Sequence, residues 1–227
     1  MNIVYEIYHK KFSNEVYSAT GNYLFWLNLQ NQPAGDKKLL DSLNVTPTSW
    51  IFIRHSLMVS LIMTLGRIFD TNGESFSIDD LLKSCIENIH SFNKSSLRER
   101  KIKDTGGKEA DWLEEFIDNA YEPNELDFQK LKPQVKKHRE TFNGIYKPIR
   151  HNIFAHTTKE HFGKTSEIWE STSKSNIEEI LDFLTDLNLT LRETYHNGRK
   201  PVLSGAKMEK GFFEKDISLL LQRVKNA

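Results

Sequence analysis

The chain has 227 residues, enough to bury a substantial core in one domain or two small ones. Its 31 Lys and Arg balance 31 Asp and Glu, so net charge gives no reason to expect a nucleic-acid or membrane partner. The single cysteine, Cys85, excludes an intramolecular disulfide. With no charged-then-apolar leader and no uninterrupted apolar run of bilayer length, we expect a reducing, cytoplasmic setting without a membrane.

Few prolines and glycines favour helices, and the apolar spacing agrees. Residues 3 to 30 carry Val4, Ile7, Tyr8, Phe12, Val16, Tyr23, Leu24 and Leu27 at helical intervals, with a break expected near Gly21. Residues 31 to 36, holding Pro33 and Gly35, end that helix, and residues 37 to 45 read as an irregular connection. Thr46-Pro47 opens the next helix, with a capping threonine and a proline where a missing N–H costs nothing. This helix runs to about Phe69 and is apolar on nearly every face, so we expect it to be the central one. Arg67 and Asp70 lie three apart near its end: they pair on its surface, or Arg67 serves a site as a supporting cation.

Asp70-Thr71-Asn72-Gly73 turns the chain, and Ser77 caps a helix over about 78 to 89 in which Cys85 packs as a small apolar residue. Residues 94 to 108, basic and ending in Gly106-Gly107, read as a flexible loop without the companions of a phosphate-binding loop. A short helix follows over 109 to 120. Residues 125 to 156 are helical in pattern, with Pro133 opening or kinking a helix and Pro148 removing a hydrogen bond just before Arg150. Residues 157 to 174 read as a polar loop with a short extended piece at Ile168-Trp169. Ser175-Asn176-Ile177-Glu178 reads as a capping box opening a helix that Asn197-Gly198 closes. After a loop over 201 to 205, a last helix carries the stripe Phe213, Ile217, Leu220, Leu221 and Val224. No strand pattern can build a sheet, and we read an all-α chain forming a single helical domain over residues 1 to 227.

Charge is uneven along the chain. Residues 104 to 127 hold nine acidic side chains against Lys108, and residues 129 to 150 hold seven basic ones against Glu140. These are two solvated helices, or the second is a basic face that steers a polyanion toward Arg150. The unusual chemistry sits there, in Arg150-His151-Asn152-Ile153-Phe154-Ala155-His156. An arginine offers a planar fork of donors to phosphate, and a histidine is suited to moving protons near neutral pH. The structural alternative has Arg150 in a surface ion pair, Asn152 in a packing hydrogen bond and His156 capping a helix end.

Arg150 to His156 resembles the signature of the HEPN superfamily: an arginine, a polar residue, a short spacer and a histidine commonly preceded by alanine. Leu65-Gly66-Arg67-Ile68-Phe69-Asp70, followed by Ser75-Phe76-Ser77-Ile78-Asp79-Asp80-Leu81-Leu82, resembles the first core helix of its AbiU-type branch. The resemblance covers about residues 45 to 195. It implies a HEPN-like helical bundle, with additional N- and C-terminal helices, that cleaves RNA without a metal or other cofactor. Arg150 and His156 would be catalytic, the first holding the phosphate and the second acting as general acid or base. His151 and Asn152 would support them, although many members carry Asn or Asp where His151 stands. Arg67, Asp70 and Lys147 are expected beside the site or against RNA. The implied partners are RNA and a second copy in a two-fold dimer, with an antitoxin or other defence component besides, in a toxin or abortive-infection role. A non-catalytic module binding RNA, a nucleotide or a protein is the other reading.

Geometry restricts how the motif can work. On a straight helix six residues separate Arg150 from His156 by about 9 Å of rise and roughly 120° of rotation, so the two do not share a face. Asn152 and His156, four apart, do. Either the bend at Pro148 and fraying past Ala155 bring Arg150 and His156 together, or two copies pack motif against motif, which is what the resemblance implies. His151 and His156 are five apart, and no Cys pair or carboxylate cluster completes a tetrahedral metal set.

Overall fold

The computed structural model describes residues 3 to 73, 76 to 151 and 173 to 226. Among them every regular element is a helix, and the fold is all-α. The spine is α1 (Ile3–Ala34). It lies antiparallel to α3 (Pro47–Ile68), as Asn22 reaching Ser60 and Gln30 reaching Arg54 show. It is also antiparallel to α9 (Lys174–Asn197): Tyr5 donates to the Leu191 carbonyl at 3.0 Å and Tyr23 to Glu178 at 3.0 Å.

This arrangement corrects the choice of central helix. Only the second half of α3, from Met58 to Ile68, is buried, whereas Ile51, Phe52 and Ile53 are 56%, 66% and 41% exposed. By length and composition α3 could cross a bilayer, but its second half is packed inside the bundle, as a core helix of that composition would be. The helix in contact with α2, α3, α4, α9 and α10 is α1. It runs unbroken through Gly21, where the Phe213 ring comes within 2.9 Å of where a Cβ would stand. Pro33 sits in its last turn. Its buried row is Tyr5, Phe12, Val16, Ala19 and Tyr23, so Val4 and Ile7 of the expected stripe face water.

Two stretches read as irregular are helices. α2 (Lys37–Leu43) is capped by Asp36, which accepts from the Leu39 N–H, and buries Leu39 and Leu43 against Ile217 and Leu221 of α10 (Gly211–Asn226). α5 (Lys94–Asp104) is capped by Asn93, anchored by buried Leu97, and ion-paired through Arg98 to Glu109 and Glu114. The acidic run that follows thus neutralises part of this basic helix. α4 (Ile78–Glu87) opens on a reciprocal box between Ser77 and Asp80. α6 (Leu113–Asp118), α7 (Glu125–Gln129) and α8 (Lys132–Ile149) follow, with Pro133 in the first turn of α8. The cap of α9 is Ser173 rather than Ser175: its hydroxyl accepts from the Asn176 N–H at 3.2 Å. At the other end Gly198 closes α9 in the left-handed conformation. The loop beyond it is held along α9 by buried Asp186, which accepts from the Ser204 N–H and hydroxyl and the Gly205 N–H. Cys85 is fully buried, and burial pushes its thiol up, as suits a packing residue.

α8 meets α9 through a stacked pair, His138 on Phe183, with centroids 4.2 Å apart. Burial, then Lys137, lowers the His138 pKa, and burial lowers His9 and His196 as well. Below the ordinary value of about 6.5 the unfolded chain takes up protons that these folded imidazoles resist. Their contribution is therefore intact above about pH 6.5 and is lost as the pH falls toward the folded values. The expected result is a Tm that drops between pH 7 and pH 5, with a shallower drop in His138→Gln.

Candidate functional site

α8 carries the motif to its place. Val135, His138, Phe142, Tyr146 and Ile149 recur at helical spacing and are buried, which fixes the face α8 turns to the bundle. Phe142 packs on Phe69 at the end of α3, with centroids 5.6 Å apart, and the Tyr146 hydroxyl donates to the Ser173 carbonyl. Pro148 lies within the last turn, where it has no N–H to give the carbonyl of Gly144. Directly after it the backbone widens into a π turn at Arg150 and His151. Such turns re-aim side chains relative to a regular helix.

Arg150 comes down on Gly66 of α3. A Cβ at Gly66 would stand 2.8 Å from Arg150 Cδ, 2.9 Å from Nε and 3.1 Å from Cζ, so the side chain occupies the space that glycine leaves. The two stretches that carry the family resemblance therefore touch. Arg150 is half-buried, and among the described residues no carboxylate pairs with it. Lys147, in the last turn of α8, and His151, in the π turn beyond it, are both exposed, as is Asn143 one turn earlier. Asn152 and His156 lie outside the described residues.

Arg67 does not pair with Asp70. It reaches Glu15 of α1 with two donors, Nε at 3.2 Å and an Nη at 2.7 Å, and donates also to the Thr64 hydroxyl. A bidentate carboxylate from a neighbouring helix outcompetes the single contact available three residues along. Asp70 instead accepts from the Asn72 N–H and shapes the turn after α3. Arg67 is thus a partly neutralised cation, and the pair is exposed enough to contribute at most about 1 kcal/mol to stability. Glu15 escaped sequence reading because nothing local marks a partner 52 residues away.

Among the described residues no three His, Cys, Asp or Glu converge as a metal site requires. A separate polar cleft of about 630 Å³, lined by Glu6, His90, Arg100, Tyr195 and His196 among others, opens at the far end of α9. Its arginine is a brace. Arg100 lies 3.8 Å over the Tyr195 ring and donates to the carbonyls of Ser91 and Tyr195, tying α5 to α9.

The bundle is all-helical among the described residues, and the arginine of the Arg-to-His motif is seated on the long helix α3. The family model for AbiU2, a HEPN family, matches residues 3–213, and the chain belongs to that family. It is therefore an abortive-infection HEPN-type module. The match extends beyond residues 45 to 195 to take in α1, which the structure makes the spine. No curated protein and no solved structure matches the chain.

Proposed function

We propose that this protein is a metal-independent endoribonuclease, a toxin or abortive-infection effector that cuts RNA of its own cell or of an invading phage. The observation that carries this reading is Arg150 seated on Gly66 at the junction of the two family stretches, with no described carboxylate neutralising it. In the reaction the 2′-hydroxyl oxygen attacks the adjacent phosphorus and gives its proton to a base. The bond from phosphorus to the 5′ oxygen breaks, and that oxygen takes up a proton. The products are a 2′,3′-cyclic phosphate and a 5′-hydroxyl end. His156 handles the protons and Arg150 neutralises the phosphoryl oxygens as charge builds on them. Lys147 and His151, both exposed, contact the RNA backbone, with Asn152 orienting the His156 ring.

The site is composite, formed where two copies meet. On a straight helix a spacing of six would set Arg150 and His156 on different faces, and in the arrangement that the family resemblance implies a partner's histidine completes the pair. The exposed apolar run Ile51-Phe52-Ile53 lies at the start of α3, about 20 Å along the helix from Gly66, and supports association of two copies through that end of the helix. In the cell we place the protein in the cytoplasm, restrained by an antitoxin or another defence component.

Incubating purified protein with RNA, with and without a chelator, tests this reading. Equal cleavage in both, lost in His156→Ala, is expected, as is loss of phage protection in cells carrying that variant. RNA that is bound but never cut, even at high protein concentration, would replace the enzyme by a binding module.

A further inference from the structure

We propose that Gly66 is a positioning residue: it is the seat that holds the Arg150 guanidinium ready for a phosphate, an inference that rests on the ribonuclease reading above. Gly66 lies inside α3, in its buried half, where glycine is a poor helix former and no turn or positive φ calls for it. The structure gives a steric reason for glycine instead. Arg150 Cδ, Nε and Cζ lie at nearly equal distances from the missing Cβ, at 2.8, 2.9 and 3.1 Å. The arginine therefore runs across α3 rather than meeting it end-on, with its forked Nη groups beyond the contact. An exposed arginine samples many rotamers and must be ordered before it can grip a phosphate bidentately. Seating against backbone removes much of that freedom in advance, and even an alanine would fill the seat.

The consequence is a separation of activity from stability. Added bulk meets the far part of a flexible side chain, so the guanidinium yields while the helix stays. Gly66→Ala is expected to lower kcat for RNA cleavage about 100-fold, the effect of misplacing a reacting group by about 1 Å. Its Tm should be unchanged or higher, because alanine is the better helix former. In the double variant Gly66→Ala/Arg150→Ala, kcat should fall no further than in Arg150→Ala, because the seat then has nothing to hold. A readout that does not depend on cleavage is the NMR signal of the Arg150 Nε–Hε group: ordered in the wild type, mobile in Gly66→Ala.

Wild-type kcat in Gly66→Ala overturns the proposal, as does a double variant clearly worse than Arg150→Ala. Should Gly66→Ala fail to fold, the wild-type signal decides, and a mobile Nε–Hε there overturns the seat. Should Arg150→Ala cleave as well as wild type, the phosphate-binding role given to Arg150 falls; should the wild type not cleave RNA, the ribonuclease reading falls; in both cases the Nε–Hε comparison still decides whether Gly66 orders Arg150.

Discussion

Replacing Arg150 with alanine is expected to reduce RNA cleavage by about 10²–10³-fold, the range for removing one donor aimed at developing oxyanion charge. Stability should barely change. Arg150 is half-buried, makes no ion pair among the described residues, and covers a glycine rather than filling an apolar cavity. Surface changes of that kind usually stay within about 0.5 kcal/mol. Arg150→Lys should recover only part of the rate, because a lysine keeps the charge and loses the planar fork. Single-turnover cleavage beside thermal unfolding separates the two effects. A Tm that falls along with the rate would mean that Arg150 is a structural residue.

The largest loss of stability is expected from Phe92→Ala, at about 3–5 kcal/mol. Phe92 is buried in a short 3₁₀ turn, Ile89–Phe92, and its ring meets Tyr5 of α1 at 4.9 Å, Phe128 of α7 at 5.0 Å and Tyr195 of α9 at 5.4 Å. Three elements far apart in the chain close on one side chain, and its removal leaves a cavity that none can fill without moving. In a chain of this length such a loss lowers Tm on the order of 10 °C. Denaturant unfolding should show the midpoint fall with little change in slope. A loss below about 1 kcal/mol would mean that the ring cluster repacks.

What could be read from the sequence depended on whether a signal was local. Thr46-Pro47, Ser77 and Asn197-Gly198 mark helix ends within a few residues, and α3, α4 and the end of α9 lie where those marks place them, although the Thr46 side chain makes no capping hydrogen bond and the start of α3 rests on Pro47. α2 and α5 escaped because each is short or highly charged. One is anchored by two buried leucines, the other by a single one, so no apolar stripe announces them. Phe92, Glu15 and the spine role of α1 rest on contacts between distant segments, which no spacing rule encodes. The site divides the same way. Arg150 stands out in the sequence as a candidate for phosphate binding through its motif, and Gly66 lies inside a stretch that carries the family resemblance. Their contact appears only when α8 is laid across α3, and the correction of Arg67 from Asp70 to Glu15 needed α1 in place.

The composite site is the central claim, and mixing two inactive variants tests it most directly. Arg150→Ala and His156→Ala are purified, combined, allowed to exchange subunits, and assayed on RNA. If Arg150 of one copy works with His156 of the other, each mixed dimer regains one intact site of two. Random exchange then restores about a quarter of wild-type activity. Activity that stays at the level of the separate variants after exchange, with mixed dimers shown to have formed, would contradict the composite site and leave each copy to act alone.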